Sequence, residues 1–291
     1  MAGNIIFNRV AIAGVGLIGG SLALAGKRAG IFGSVVGLGR GKANLDDALR
    51  LGIIDEATSD LKTAAAGADL FFAAVPVESI AGLVLQAAAH LPQGAVITDG
   101  GSVKGKIVER LDAALPPSLF FVGGHPVAGT EKTGAAAAFA DLYKGRYTIL
   151  TPTEKTNPAA LDKVKRMWEA AGSRVEIMAP EDHDGAMSAI SHLPHLVAFA
   201  LMEAVMQDDP DGTKRRFAAG GLRDTTRIAA SDPAMWRDIF SMNRKKLLSS
   251  LALFQDSLDR FLVEIESGDF EEVRRRIEAI SAARRARDGH G

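Results

Sequence analysis

The first 180 residues alternate short apolar runs with longer stretches whose apolar positions recur at helical spacing. The short runs fall at 10–13, 34–39, 68–76, 95–98, 119–122, 146–152 and 174–178, and they predict strands. The stretch at 68–76 is a continuous apolar run, suited to a central parallel strand covered on both faces. Helical spacing covers 21–29, 43–51, 78–90, a stretch reaching Leu115, and 158–171. Gly30, Gly52 and Gly172 stand where three of these helices stop. Residues 134–145 are alanine-rich and read as a surface excursion with a short helix. Beyond Pro180 strand-like runs cease and the spacing is helical to the end. The pattern predicts a doubly wound α/β domain over 1–180 and an all-helical domain over 181–291.

Between the first strand and the first helix stands Gly14-Val15-Gly16-Leu17-Ile18-Gly19. A G-x-G-x-x-G in this position offers a tight turn, close backbone approach and free N–H groups at a helix start, the requirements of a dinucleotide pyrophosphate. A merely structural glycine turn is the plainer alternative. The second strand ends at Gly39-Arg40-Gly41-Lys42, with no acid before Asp46. Arg40 there suits a 2′-phosphate, which favours NADP over NAD; otherwise Arg40 and Lys42 are solvated loop charges. Ligands in such sheets lie beyond the carboxyl ends of the strands. The expected cofactor contacts are therefore Gly14, Gly16, Leu17, Ile18, Gly19 and Arg40, with Val75, Pro76 and Gly101 at later strand ends.

Composition narrows the class. The 291 residues are 47% hydrophobic and 24% charged, with a net charge of −1, so nothing points to nucleic acid or an anionic membrane as partner. Cysteine is absent, which excludes disulfides, thiolate metal sites and cysteine nucleophiles, and fits a reducing cytoplasm. Residues 1–8 carry no secretory pattern. The apolar stretch 193–206 is shorter than a membrane span, contains His195 and Glu203, and reads as a buried helix. The expectation is a soluble, cytoplasmic protein.

His125 follows a strand and a glycine pair, and precedes Pro126. A histidine placed there suits general base chemistry near neutral pH; capping a turn is the bland alternative. Ser102 reads as opening a helix, where an N-cap hydroxyl can also face a ligand. His183-Asp184 and His192-Leu193-Pro194-His195 gather three histidines. Pro194 breaks regular ligand spacing and no further acid completes a set, so substrate contact or buried hydrogen bonding is preferred to a metal. Arg223 or Arg227 can clamp a carboxylate. Asp232-Pro233 reads as an N-cap with proline at the first helical position. Trp168 and Trp236 read as core or interface residues. Apolar spacing through Leu247, Leu251, Phe254, Leu258, Phe261, Leu262 and Ile265 suggests burial against a second subunit, or else packing on the first domain.

Taken together, the chain resembles the prephenate/arogenate dehydrogenase family of tyrosine biosynthesis. The resemblance runs through 14–21, 99–104, Gly124 to Glu131, Ser191 to His195, and Asp224 to Ala229. It implies a Rossmann-like domain followed by a helical dimerisation domain, hence a homodimer. It also implies oxidative decarboxylation of a cyclohexadienyl ring, with His125 taking the ring hydroxyl proton and Ser102 holding the hydroxyl and His125 in line. Arg227 would pair with a substrate carboxylate, while His192, His195 and Thr130 line the pocket across the domain interface.

Gly100 departs from the family's branched apolar residue, and the missing acid near Arg40 departs from NAD-preferring members. No ACT domain is expected after the helical one. His195 together with Glu131-Lys132 favours prephenate over arogenate. Two rivals remain: a β-hydroxyacid type dehydrogenase, whose lysine–asparagine order Asn243-Arg244-Lys245-Lys246 lacks, and a non-catalytic NADP-sensing dimer.

Overall fold

The computed structural model describes residues 4–130 and 132–288, so Glu131 of the family motif lies outside the described residues. The chain divides into two compact units, Met1–Arg244 and Lys245–Gly291.

The first unit is built on β1 (Phe7–Ala13), α1 (Leu17–Arg28), β2 (Phe32–Leu38), α2 (Lys42–Arg50), β3 (Glu56–Thr58), α3 (Leu61–Ala65) and β4 (Leu70–Ala73). It continues through α4 (Val77–Ala88), β5 (Val96–Asp99), α5 (Gly105–Ala114), β6 (Phe120–Pro126), β7 (Tyr147–Thr151), α6 (Pro158–Ala170) and β8 (Arg174–Ile177). The strands form one eight-stranded sheet in the order β3-β2-β1-β4-β5-β6-β7-β8. Every pairing is parallel except β6 with β7. Val10, Ile12 and Phe72 face a core with Leu22 and Trp168, whereas Ala11, Phe71 and Ile97 face the opposite core with Ile80 and Ile107. Both faces are covered, which is why these strands read as unbroken apolar runs rather than alternating ones.

Two sequence expectations change here. The strand–helix pair β3 and α3 was not foreseen, because Glu56-Ala57-Thr58 is too short and polar to signal a strand. β6 runs to Pro126, well past the expected end at Val122. It is parallel to β5 as far as Val122, then antiparallel to β7 from Gly123 to Pro126. A change of partner inside one strand leaves no local signal, and the glycine pair looked like a stop. His125 is consequently a strand residue opposite Ile149, buried at 8% exposure, and not a loop residue.

Past the sheet, α7 (Pro180–Met187), a π-helical turn (Ser188–His192) and α8 (Leu193–Asp208) run on without a break. The expectation of a short buried helix fails: Pro180–Asp208 spans 29 residues, and Ala198 is the one buried residue of α8. Pro194 does not stop the rod because it enters in the first turn of α8, just after the widened π-helical turn. By length and composition this rod could cross a membrane. Its first half instead carries His183, Asp184, Ser188 and His192 buried within the first unit. α9 (Gly220–Thr226) and α10 (Pro233–Met242) follow, the latter capped as expected by Asp232, which accepts the Met235 N–H at 2.7 Å. Trp236 and Ile239 of α10 join the core over α4.

The second unit holds most of α11 (Arg244–Ser267) and all of α12 (Phe270–Asp288). Glu264 pairs with Arg276, whose guanidinium lies 5.3 Å from the centre of the Phe261 ring. Leu253, Leu258, Leu262, Phe270, Ile277 and Ile280 are exposed in the single chain.

The glycine turn closes against the end of β4. Gly14 has φ +93°, and a side chain there would stand 2.2 Å from the Ala74 carbonyl oxygen. At Gly16 nothing lies within 4 Å of that point. Gly14→Ala is expected to lower thermal stability by several degrees through backbone strain and collision. Gly16→Ala should leave the ligand-free melting temperature within about one degree. Equal melting temperatures for the two variants would contradict this turn geometry.

Candidate active site

The carboxyl ends of β5 and β6 are fastened by a buried ion pair. Asp99 closes β5; its Oδ2 accepts the Gly101 N–H at 2.9 Å and its Oδ1 accepts the Gly124 N–H at 3.1 Å. Lys104 Nζ pairs with the same carboxylate and donates to the Gly124 carbonyl at 2.8 Å. Both side chains are 0% exposed. Burial pulls the Lys104 pKa below its ordinary value, against the opposing pull of Asp99. A buried charge is tolerable only when paired and fully hydrogen-bonded, and here each partner also binds the backbone that presents His125.

From that backbone a chain of imidazoles runs to Asp184. His125 Nδ1 lies 2.8 Å from His183 Nε2, and His183 Nδ1 lies 2.9 Å from Asp184 Oδ1. Asp184 also accepts the Lys104 N–H at 2.7 Å and the Gly105 N–H at 2.8 Å, so a carboxylate on α7 caps the start of α5. Burial pushes the Asp184 pKa up, but bonds from His183 and the two N–H groups outweigh it and hold the group ionised. His125 is driven well below the ordinary histidine value by burial, and then by the neighbouring His183, Lys104 and His192. It is a neutral imidazole at pH 7.

Asn243 ties in the next histidine. Its Nδ2 donates to the Asp184 carbonyl at 2.8 Å and reaches His192 Nδ1 at 3.1 Å. His192 is lowered to about 4, chiefly by burial. His195 Nδ1 donates to the Ser191 carbonyl at 2.9 Å, and its ring stacks on Trp236 with centroids 3.8 Å apart. Burial lowers His195 as well, with the charge of Arg227 adding to it.

Ser102 does not cap α5. The helix starts three residues later, at Gly105, with Lys104 as its N-cap, and Asp184 takes the N–H groups that a serine would have served. Ser102 is a half-buried loop residue. Thr130, Arg227 and Arg40 are exposed; the Thr130 hydroxyl accepts the Lys132 N–H at 3.2 Å. α1 has Gly16 as its N-cap and so no side-chain cap; its first N–H groups suit a phosphate, and the open space over Gly16 suits close approach. The Leu17 side chain is buried, and the Ile18 carbonyl is taken by the Tyr143 hydroxyl at 2.5 Å. Val75 is half-buried, Pro76 opens α4, and the Gly101 N–H is committed to Asp99.

Sequence reasoning missed Lys104, Asp99 and Asn243 as site residues. It noticed His183-Asp184 only as part of a histidine cluster. Among the described residues no group of three His, Asp or Glu is placed to hold a metal ion.

An uncapped helix behind a glycine turn and a neutral buried histidine at the same end of the sheet fit a nucleotide-dependent oxidoreductase of the doubly wound class. The finer assignment comes from comparison with known proteins. Residues 22–177 match the family described as prephenate dehydrogenase, nucleotide-binding domain, and residues 179–279 match prephenate dehydrogenase, dimerization domain. The chain belongs to the prephenate dehydrogenase family.

It is 37% identical to a prephenate dehydrogenase of Bacillus subtilis over 289 residues, covering 98% of this chain and 77% of that protein. It is 35% identical to a cyclohexadienyl dehydrogenase of Zymomonas mobilis, covering 91% of this chain and 90% of that one. The crystal structure of prephenate dehydrogenase from A. aeolicus in complex with hydroxyphenyl propionate and NAD+ superposes with a TM-score of 0.90 at 38% identity. That match covers 95% of this chain and 97% of the A. aeolicus chain. The matched description makes the first domain a nucleotide-binding one, and the A. aeolicus structure holds NAD+.

Two measurements test this site. Lys104→Met leaves Asp99 buried without its counter-charge, and is expected to cost about 3–5 kcal/mol in denaturant unfolding; a loss under 1 kcal/mol would contradict the pairing. The buried histidines set a pH dependence. Their folded pKa values lie below the unfolded value of about 6.5, so between pH 6.5 and about 4 the unfolded chain binds more protons. Stability is full above that window and falls as pH drops through it. The denaturation midpoint should be lower at pH 5 than at pH 7.5, and His192→Gln should flatten the difference.

Proposed function

We propose that this chain catalyses the NAD(P)-dependent oxidative decarboxylation of prephenate to 4-hydroxyphenylpyruvate in the cytoplasm, as a homodimer joined through its helical domain. The nucleotide domain is 1–180, and the helical substrate and dimerisation domain is 181–291. The observation that carries the reading is His125, a neutral imidazole whose Nδ1 is bonded to His183, at the end of the sheet that also bears the glycine turn. The family matches and the Bacillus subtilis relative support it. The likeness to the arogenate dehydrogenase of Synechocystis supports a second substrate, arogenate, which differs from prephenate only in its side chain.

The backbone at Gly14, Gly16, Leu17, Ile18 and Gly19 holds the pyrophosphate, with Val75, Pro76 and Gly101 beside the nicotinamide end. Arg40 receives the 2′-phosphate, giving a preference for NADP; its exposed place at the tip of β2, with no nearby acid before Asp46, supports this. When bound, the nicotinamide supplies the hydride acceptor. The protein's own part is proton management and orientation. His125 takes the proton of the ring hydroxyl as the carbonyl forms at that carbon. Loss of the ring carboxylate as carbon dioxide then aromatises the ring, and His125 returns the proton to the phenolate oxygen. Ser102 holds the ring hydroxyl, Arg227 pairs with a substrate carboxylate, and Thr130, His192 and His195 line the pocket.

Initial rates with prephenate or arogenate, each with NAD or NADP, test the reading. Turnover of prephenate, faster with NADP, is expected, and Arg40→Asp should reverse the cofactor preference. His125→Asn should lower kcat by about 10²- to 10⁴-fold while nucleotide binding persists. No turnover in any pairing would overturn the proposal. Faster turnover with NAD would make Arg40 a bystander.

A further inference from the structure

The bond between His125 and His183 determines more than a position. Asp184 is a carboxylate and only accepts, so His183 must carry its proton on Nδ1, where the two meet at 2.9 Å. The neutral His183 ring then presents a lone pair at Nε2, and that atom faces His125 Nδ1 at 2.8 Å. One proton has to sit in that contact, so His125 carries it on Nδ1. The lone pair of His125 is therefore at Nε2. The orientation starts from the fixed end of the chain. Asp184 cannot turn away without releasing the Lys104 and Gly105 N–H groups that it caps.

We propose that His183 is a positioning residue. Held by Asp184, it fixes His125 as the Nδ1–H tautomer and keeps Nε2 ready to accept a proton. The kinetic part of this rests on the function proposed above; the tautomer itself does not. When a proton arrives on Nε2, the imidazolium of His125 keeps its Nδ1–H bond to His183, and the resulting charge faces an imidazole already polarised by a carboxylate. No atom of His183 needs to touch substrate. The geometry resembles a base–orienter pair in which the orienter is itself a histidine anchored to an acid, and the known cost of a wrong tautomer in such pairs is large.

The test compares His183→Gln with His183→Leu. Glutamine places an amide oxygen near the former Nε2 that accepts the hydrogen bond from His125 Nδ1–H, whereas leucine does not. Leucine is expected to lower kcat by about 10²- to 10⁴-fold with KM changed less than about threefold, and glutamine to restore kcat to within about tenfold of the parent. Thermal melting of both variants shows whether they fold. If leucine does not, the glutamine variant and the spectroscopy below still decide the matter.

Nitrogen-15 shifts of selectively labelled histidine read the tautomers directly. In the ligand-free parent His125 and His183 are expected as Nδ1–H forms, and in the glutamine variant His125 keeps that form. A parent with His125 as the Nε2–H form would overturn the proposal, as would a folded leucine variant with kcat within threefold of the parent. A parent that turns over neither prephenate nor arogenate, with His125 still in the Nδ1–H form, would sink the functional reading and leave the tautomer assignment standing.

Discussion

The Asp184 carboxylate accepts from its neighbour His183 and from two backbone N–H groups 80 and 79 residues away in sequence. With those three bonds one side chain fastens the helical rod to the sheet, caps α5 and orients the imidazole chain. A buried carboxylate is costly unless its lone pairs are filled, and here they are filled by groups that must all be in place together. The site and the docking of α7 are therefore one event. The backbone carbonyl of the same residue accepts from Asn243, which extends the arrangement to His192.

Asp99 and Lys104 do comparable work on the sheet side. Their ion pair is wholly buried and joins the end of β5 to the glycine pair of β6. Such a pair contributes little net stability compared with apolar packing, but it is specific, since only one arrangement satisfies both charges and the Gly124 backbone. Its positive charge also stands near His125 and helps keep that ring neutral. A neutral, preoriented imidazole is what a base near pH 7 requires.

Much of the fold was legible in the chain because it rests on local patterns. The runs at 10–13 and 68–76 are buried on both sheet faces, and a continuous apolar run reports that directly. Gly14 needs a positive φ and close contact with Ala74, so glycine spacing marked the turn. His125 stood out by its flanking glycines and proline, although its true setting was a strand that changes partners. Ser102 was misread because helix caps were assumed to come from the adjoining sequence, whereas α5 is capped from α7.

The sequence by itself determined the alternation of strands and helices, the nucleotide-binding turn, the switch to helices after Pro180 and the histidines worth watching. These follow from periodicity and residue chemistry within a few positions. Only the tertiary structure decided that Lys104 would be buried against Asp99, that β6 would pair in two directions, and that His183 and Asp184 would stand behind His125. The contacts of His183 and Asp184 with His125, Lys104 and Gly105 join residues 58 to 80 positions apart, and their existence depends on where two independently formed elements dock. A short-range pattern carries no record of its distant partner, because the same polar residue is equally compatible with water until packing removes it.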